Sequence, residues 1–146
     1  MKQRLSLVLK DKGSKVHTIA PGASVTDAVD RMNSHAIGCL IVTDSEQVVG
    51  IFTERDVLKR VVAKGLHIST TVEQVMTRPV IDVKPTTTVD EAMTIMTNKR
   101  CRHLPVMDGQ RLVGMVSIGD LTRWMLRSHA VAVEDLTHYI QGSYPR

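Results

Sequence analysis

Cysteine is nearly absent: the 146 residues contain only Cys39 and Cys101, and no CxxC. That excludes a disulfide framework and a thiolate zinc cluster, and makes a reducing, cytoplasmic setting the expected one. No apolar run approaches the length of a membrane span. The opening MKQRLSLVLK is too short in its apolar part, and too soon interrupted by Lys10 and Asp11, for a secretory leader. Hydrolase signatures are missing too. There is no GxxxxGK, no GxGxxG, and no nucleophile, base and orienting group in an arrangement that suggests hydrolysis, so no enzyme activity is expected. The histidines (17, 35, 67, 103, 129 and 138) lack paired ligand spacing, so no metal is expected either. Lys and Arg number 19 against 15 Asp and Glu, but they are scattered, without the block or stripe of a phosphate-backbone binder. The mild basic excess suits a small anionic ligand better than nucleic acid.

What is present is a duplication. Residues 21–58 repeat without a gap at 85–122, an offset of 64 (85 − 21) that lays Pro21 on Pro85, Ala28 on Ala92, Leu40 on Leu104, Gly50 on Gly114 and Asp56 on Asp120. Two copies, neither of them short, suggest two similar units about a local twofold axis and not a solenoid. One copy of roughly 60 residues would be marginal alone, so the two are expected to fold together, with function in the cleft between them.

Each copy reads β-α-β-β-α. In the first, residues 16–19 form a short strand. Ser24 and Asp27 start a helix with Val25, Ala28, Val29 and Met32 on its inner face, residues 39–42 and 48–52 are buried strands, and residues 56–64 form a helix stopped by Gly65. The second copy gives strands at 80–83, 104–107 and 112–116 and helices from Thr88 and over 120–127, with a short linking helix at 71–76. This places repeat 1 at 10–66, a linker at 67–70, repeat 2 at 71–129, and a C-terminal helix and tail at 130–146. In that last segment Val133, Leu136 and Ile140 form a stripe that must pack on the domain or on another chain. Trp124 is expected at an interface or between helices. Cys39 and Cys101 stand at matching strand entries, as small buried residues or as a redox pair.

Each copy carries Gly-x-x-(Thr/Ser)-x-x-Asp where its second long strand hands over to a helix: Gly50, Thr53 and Asp56 in GIFTERD, and Gly114, Ser117 and Asp120 in GMVSIGD. A hydroxyl, backbone N–H groups and a carboxylate at a helix N-terminus suit a phosphate, and an Asp can accept the two hydroxyls of a ribose at about 1.5–3 kcal/mol each. The same residues are helix caps, worth about 1 kcal/mol apiece. Two features tilt the balance to a ligand: the glycine fixed three residues before the hydroxyl, and the short Asp where Glu or Gln would reach the cap more readily.

These segments, with KRCRHLPVMD and MTRPVIDVKPTTTVDEAM, resemble the tandem CBS-domain proteins, or Bateman modules, over roughly residues 10–130. The resemblance implies an α/β (α+β) fold of two CBS repeats about a pseudo-twofold axis, and a non-catalytic regulatory module binding an adenosine ligand (AMP, ADP, ATP, NAD or S-adenosylmethionine). It also implies a homodimer and a separate regulated protein partner. Carried over by position, the ribose Asp is Asp56 in one cleft and Asp120 in the other, each with its hydroxyl, Thr53 or Ser117. Adenine would meet Val16, His17, Ile37 and Gly38 in the Asp120 cleft, and Val80, Ile81, Cys101 and Arg102 in the Asp56 cleft. Basic residues at the strand entry, Arg102 and His103, would meet phosphate. Gly38 and Cys39 replace them in the first copy, so the Asp120 cleft is expected to hold phosphate better, with Arg55 partly compensating in the other. The competing class is a structural interaction protein with vestigial clefts.

Overall fold

The computed structural model describes residues 2–140, with side chains described as far as Ala130. Ser24 caps helix α2 (Val25–Ser34) by accepting the Asp27 N–H, and α2 buries Val25, Ala28 and Met32. Strand β1 (Thr18–Ile19) pairs parallel with β2 (Cys39–Asp44), which pairs antiparallel with β3 (Gln47–Thr53). Period-2 alternation sends Leu40, Val42 and Phe52 into the first repeat's core, and Cys39, Ile41 and Ile51 to the opposite face. There they meet Leu112 and Met115 of the second repeat, so the two sheets share a central apolar layer.

The second repeat follows the same plan. Helix α5 (Val89–Lys99) starts from a capping box of Thr88 and Glu91 and precedes the hairpin of β4 (His103–Asp108) and β5 (Arg111–Ser117). The duplication extends to irregularities: both hairpins shift register at the same place, between Val42 and Thr43 and between Val106 and Met107. Ala36 and Arg100, 64 residues apart, both take left-handed φ values, 51° and 55°, just after α2 and α5.

Three expectations need correction. Residues 80–83 are not a strand: only Val83 bridges Val106, in parallel, the equivalent of the Ile19–Val42 pair. The helix expected over 56–64 is a short α3 (Glu54–Asp56) running into a π-helical turn (Val57–Val62), where Ala63 N–H bonds back to the Leu58 carbonyl. The wider turn leaves Val61 buried and Leu58 and Val62 about two-thirds exposed. In the second repeat the closing helix and the C-terminal helix are one continuous α6 (Ile118–Ile140); the packing of Val133, Leu136 and Ile140 lies outside the described residues.

The opening segment is structured as well. Residues Leu5–Lys12 form helix α1, and Leu5, Val8 and Leu9 are buried in the core of the second repeat, not the first. Helix α4 (Val72–Val75), just ahead of the second repeat, buries Val72, Val75 and Met76 in the core of the first. The two are equivalent. Leu5 N–H bonds to Thr87 O as Val72 N–H does to Ala23 O, and Val89 N–H bonds to Gln3 O as Val25 N–H does to Thr70 O. Each repeat is therefore completed by a helix that precedes the other. Trp124 on α6 joins this packing, its indole N–H donating to Gln3 Oε1 at 2.6 Å.

Candidate functional site

Asp56 is the third residue of α3, which follows β3, and is 4% exposed, the one buried charged residue among those described. Its Oδ2 accepts the Thr53 N–H at 3.0 Å and its Oδ1 accepts the Thr77 hydroxyl at 2.8 Å. Arg60, one helical turn on, brings Nε within 3.4 Å of Oδ1. Asp120 is held differently. Its Oδ2 accepts the Ser117 N–H at 2.8 Å and Lys12 Nζ at 2.7 Å, its Oδ1 accepts Arg123 at 2.8 Å, and its own N–H donates to Ser117 Oγ at 3.1 Å. Burial alone would raise the Asp120 pKa, but the bonds from Lys12 and Ser117 outweigh it and hold the carboxyl below its ordinary value. Both carboxylates thus fasten helix starts, as a cap reading requires.

The glycines of the motif have a packing reason as well. A Cβ on Gly50 would collide with Met76, and one on Gly114 would stand 2.8 Å from Leu9 Cδ1. The exchanged helices α4 and α1 lie against the bare backbone of β3 and β5, so these glycines mark helix–strand contact, not a ligand.

A crevice of about 620 Å³ nevertheless lies beside Asp56, bounded by residues of both repeats. Of the residues expected there, Thr53, Arg55, Asp56, Ile81, Cys101 and Arg102 line it; Val80 lines a neighbouring groove of about 530 Å³ instead. Arg102, His103 and Gly38, assigned in whole or in part to the Asp120 cleft, also border the Asp56 crevice. Burial pushes the His103 imidazole below its ordinary pKa, although the charges of Glu54 and Asp120 pull the other way. Val16 packs in the layer between the sheets, and Ile37 packs against the first core. The His17 ring stacks on His35 at 4.1 Å between centroids, and burial, then electrostatic coupling to that ring, lowers the His17 pKa.

Three groups escaped the sequence reading. Arg60 stands at the i+4 spacing that pairs with Asp56, a signal that was legible. Lys12 and Thr77 reach Asp120 and Asp56 from 108 and 21 residues away, and only the exchange of helices brings them there. The thiols stay unpaired: Cys39 is buried with its sulfur 3.7 Å from Met115 Sδ, and Cys101 is half-buried. Burial raises the pKa of both. Among the described residues no helix is long and apolar enough to cross a membrane.

Two repeats sharing a central apolar layer, with a crevice bounded by both, define a paired α/β module. The chain belongs to the CBS-domain family, whose profile matches residues 11–63 and 72–127. It is similar to the CBS domain-containing protein CBSX3, mitochondrial, of Arabidopsis thaliana, with 37% identity over 96% of this chain and 73% of that one. Among solved structures it is similar to a CBS-domain containing protein from Agrobacterium tumefaciens: 38% identity, TM-score 0.81, 84% of this chain and 99% of that one. It is also similar to a CBS domain pair solved in complex with 5'-methylthioadenosine and S-adenosyl-L-methionine: 27% identity, TM-score 0.76, 88% of this chain and 99% of that one. CBS pairs of this kind are regulatory modules.

Proposed function

We propose that this protein is a non-catalytic regulatory module that binds an adenosine nucleotide in the crevice beside Asp56 and signals occupancy to a separate protein partner, in a reducing compartment such as the cytoplasm. The observation that carries this reading is the joint lining of that crevice by Thr53 and Asp56 of one repeat and Ile81, Cys101 and Arg102 of the other. A ligand there touches both halves, so its binding energy biases their relative arrangement. Because Arg102 and His103 border Asp56, the preference for phosphate falls on this cleft and not on that of Asp120. To receive a ribose, Asp56 exchanges its bond from Thr77 or Arg60 for ribose hydroxyls, which keeps the buried carboxylate satisfied.

Isothermal titration of the full chain with AMP, ATP, NAD and S-adenosylmethionine tests this, with Asp56→Asn and Asp120→Asn beside the parent. Binding that weakens about tenfold or more in Asp56→Asn and little in Asp120→Asn supports the reading. A parent chain that binds none of the four removes it and leaves a scaffold role.

Self-association is part of the same reading. Val62 and Leu126, equivalent under the repeat (62 + 64 = 126), are 66% and 65% exposed, and Leu58 adjoins Val62 at 64%. Matched apolar patches on the two repeats suit a homodimer whose axis coincides with the internal pseudo-twofold. Sedimentation of Val62→Glu and Leu126→Glu variants as monomers, against a dimeric parent, is the expected result.

A further inference from the structure

The charge in the Asp56 crevice is uneven. Arg55, Lys59, Arg60, Lys99, Arg100 and Arg102 line it against two carboxylates, Glu54 and Asp56, a formal excess of four positive charges. His103 adds none at neutral pH, since burial lowers its pKa. The Asp56 carboxylate neutralises one of the cations, Arg60. Arg55 donates at 2.7 Å to the Arg100 carbonyl, a neutral acceptor that leaves its charge uncancelled. Lys99, Arg100 and Arg102 come from one tight bend. Arg100 takes φ 55° as the left-handed cap of α5, turning the chain so that residues on both sides of it border the crevice. The equivalent stretch of the first repeat, residues 35–38, reads His-Ala-Ile-Gly and has no Lys or Arg. The basic bend therefore belongs to one repeat and is not a general feature of the fold.

A site of this kind discriminates by tail charge. Each added phosphate brings negative charge into a half-enclosed, cation-rich space, where screening is weaker than in bulk solvent. A sulfonium ligand, whose added charge is positive, is repelled by the same groups. Resting on the reading that this crevice takes an adenosine compound, we propose that it selects nucleoside di- and triphosphates over monophosphates and rejects S-adenosylmethionine, with Lys99, Arg100 and Arg102 meeting the outer phosphates.

The test is calorimetric titration of the full chain, without divalent cations, with adenosine, AMP, ADP, ATP and S-adenosylmethionine at low and at physiological salt. Affinity rises from AMP to ATP by about tenfold or more at low salt, the gap narrows as salt rises, and S-adenosylmethionine binds more weakly than AMP. The Lys99→Ala/Arg100→Gly variant, whose replaced side chains are both exposed and whose glycine suits the left-handed backbone at position 100, keeps the parent's circular dichroism and its adenosine affinity, while ATP falls to within about threefold of AMP. AMP binding as tightly as ATP, S-adenosylmethionine matching AMP, or the variant retaining the parent's ladder each overturns the proposal and leaves adenosine recognition standing. Failure of all five compounds overturns that recognition instead.

Discussion

The Thr77 hydroxyl donates to Asp56 Oδ1 across 2.8 Å, from the segment that follows an exchanged helix and pairs its backbone with Ile51. Asp56 is thereby bonded both by its own repeat, through Thr53, and by the connection to the other. The arrangement ties the fold of the first repeat to the geometry of the crevice, because the group that would grip a ribose is also the one that caps the start of α3.

Thr77→Val keeps the side-chain shape and removes the donor. It leaves the buried carboxylate one partner short, so the protein should lose about 1–3 kcal/mol, read as a lower urea midpoint at an unchanged slope. A midpoint equal to that of the parent would mean that Arg60 or water replaces the hydroxyl without loss.

Gly114→Ala sets a methyl against Leu9, and Gly50→Ala sets one against Met76. Overpacking of this kind costs about 1–3 kcal/mol, with the smaller cost expected at Gly50, where unbranched Met76 can swing aside. Combined with Leu9→Ala, the Gly114→Ala penalty should shrink, giving a negative coupling in a double-mutant cycle by thermal or urea unfolding. Additive losses would show that α1 does not bear on β5.

The contrast between these glycines and the helix they meet shows what the sequence could reveal. The repeat, its caps at Ser24 and Thr88 and its two hairpins were legible, because identical residues recur at an offset of 64 and apolar positions keep the helical and strand periods. Helix α1 was not. Its partner α4 lies at an offset of 67 (Leu5 on Val72, 72 − 5), so it drops out of the alignment that exposes the rest. Three buried residues, Leu5, Val8 and Leu9, are also too few to announce which core they enter. The Gly-x-x-(Thr/Ser)-x-x-Asp motif was found for a reason that the structure divides: its glycine answers to the exchanged helix, its Asp to the cap and to the crevice. The π-helical turn left no mark in spacing, since Val57, Leu58, Val61 and Val62 fit an ordinary helix equally well.

Lys12→Met removes one of the bonds that hold the Asp120 carboxyl below its ordinary value, while the burial that pushes upward remains. The Asp120 pKa should rise, measurable by carboxyl NMR titration. The consequence for stability has a definite sign. A carboxyl whose folded pKa is depressed contributes stability that is present above its unfolded value and lost as pH falls through the folded one. The parent should therefore resist acid further down than Lys12→Met, whose stability declines earlier on acidification. Coincident acid-unfolding curves would place the tuning of Asp120 elsewhere, on Ser117 or Arg123.

The exchange of helices makes a prediction that a simple pair of beads would not. Leu5 is fully buried, yet its contacts are with the second repeat, whose first residue of α5, Val89, lies more than 80 positions away. Leu5→Ala opens a cavity there and should cost about 2–5 kcal/mol. The loss should fall unevenly. Amide hydrogen exchange should speed most in β4, β5 and α5, and less in β2, β3 and α2, although the substituted residue precedes the first repeat in the chain. Val72→Ala should reverse the pattern, loosening β2, β3 and α2 first, since Val72 fills the first core from a helix that precedes the second repeat. Protection lost first in the neighbouring repeat of each variant would mean that each helix packs with the copy it precedes. Protection lost equally everywhere would mean that the shared layer of Cys39, Ile41, Ile51, Leu112 and Met115 couples the two repeats into one cooperative unit.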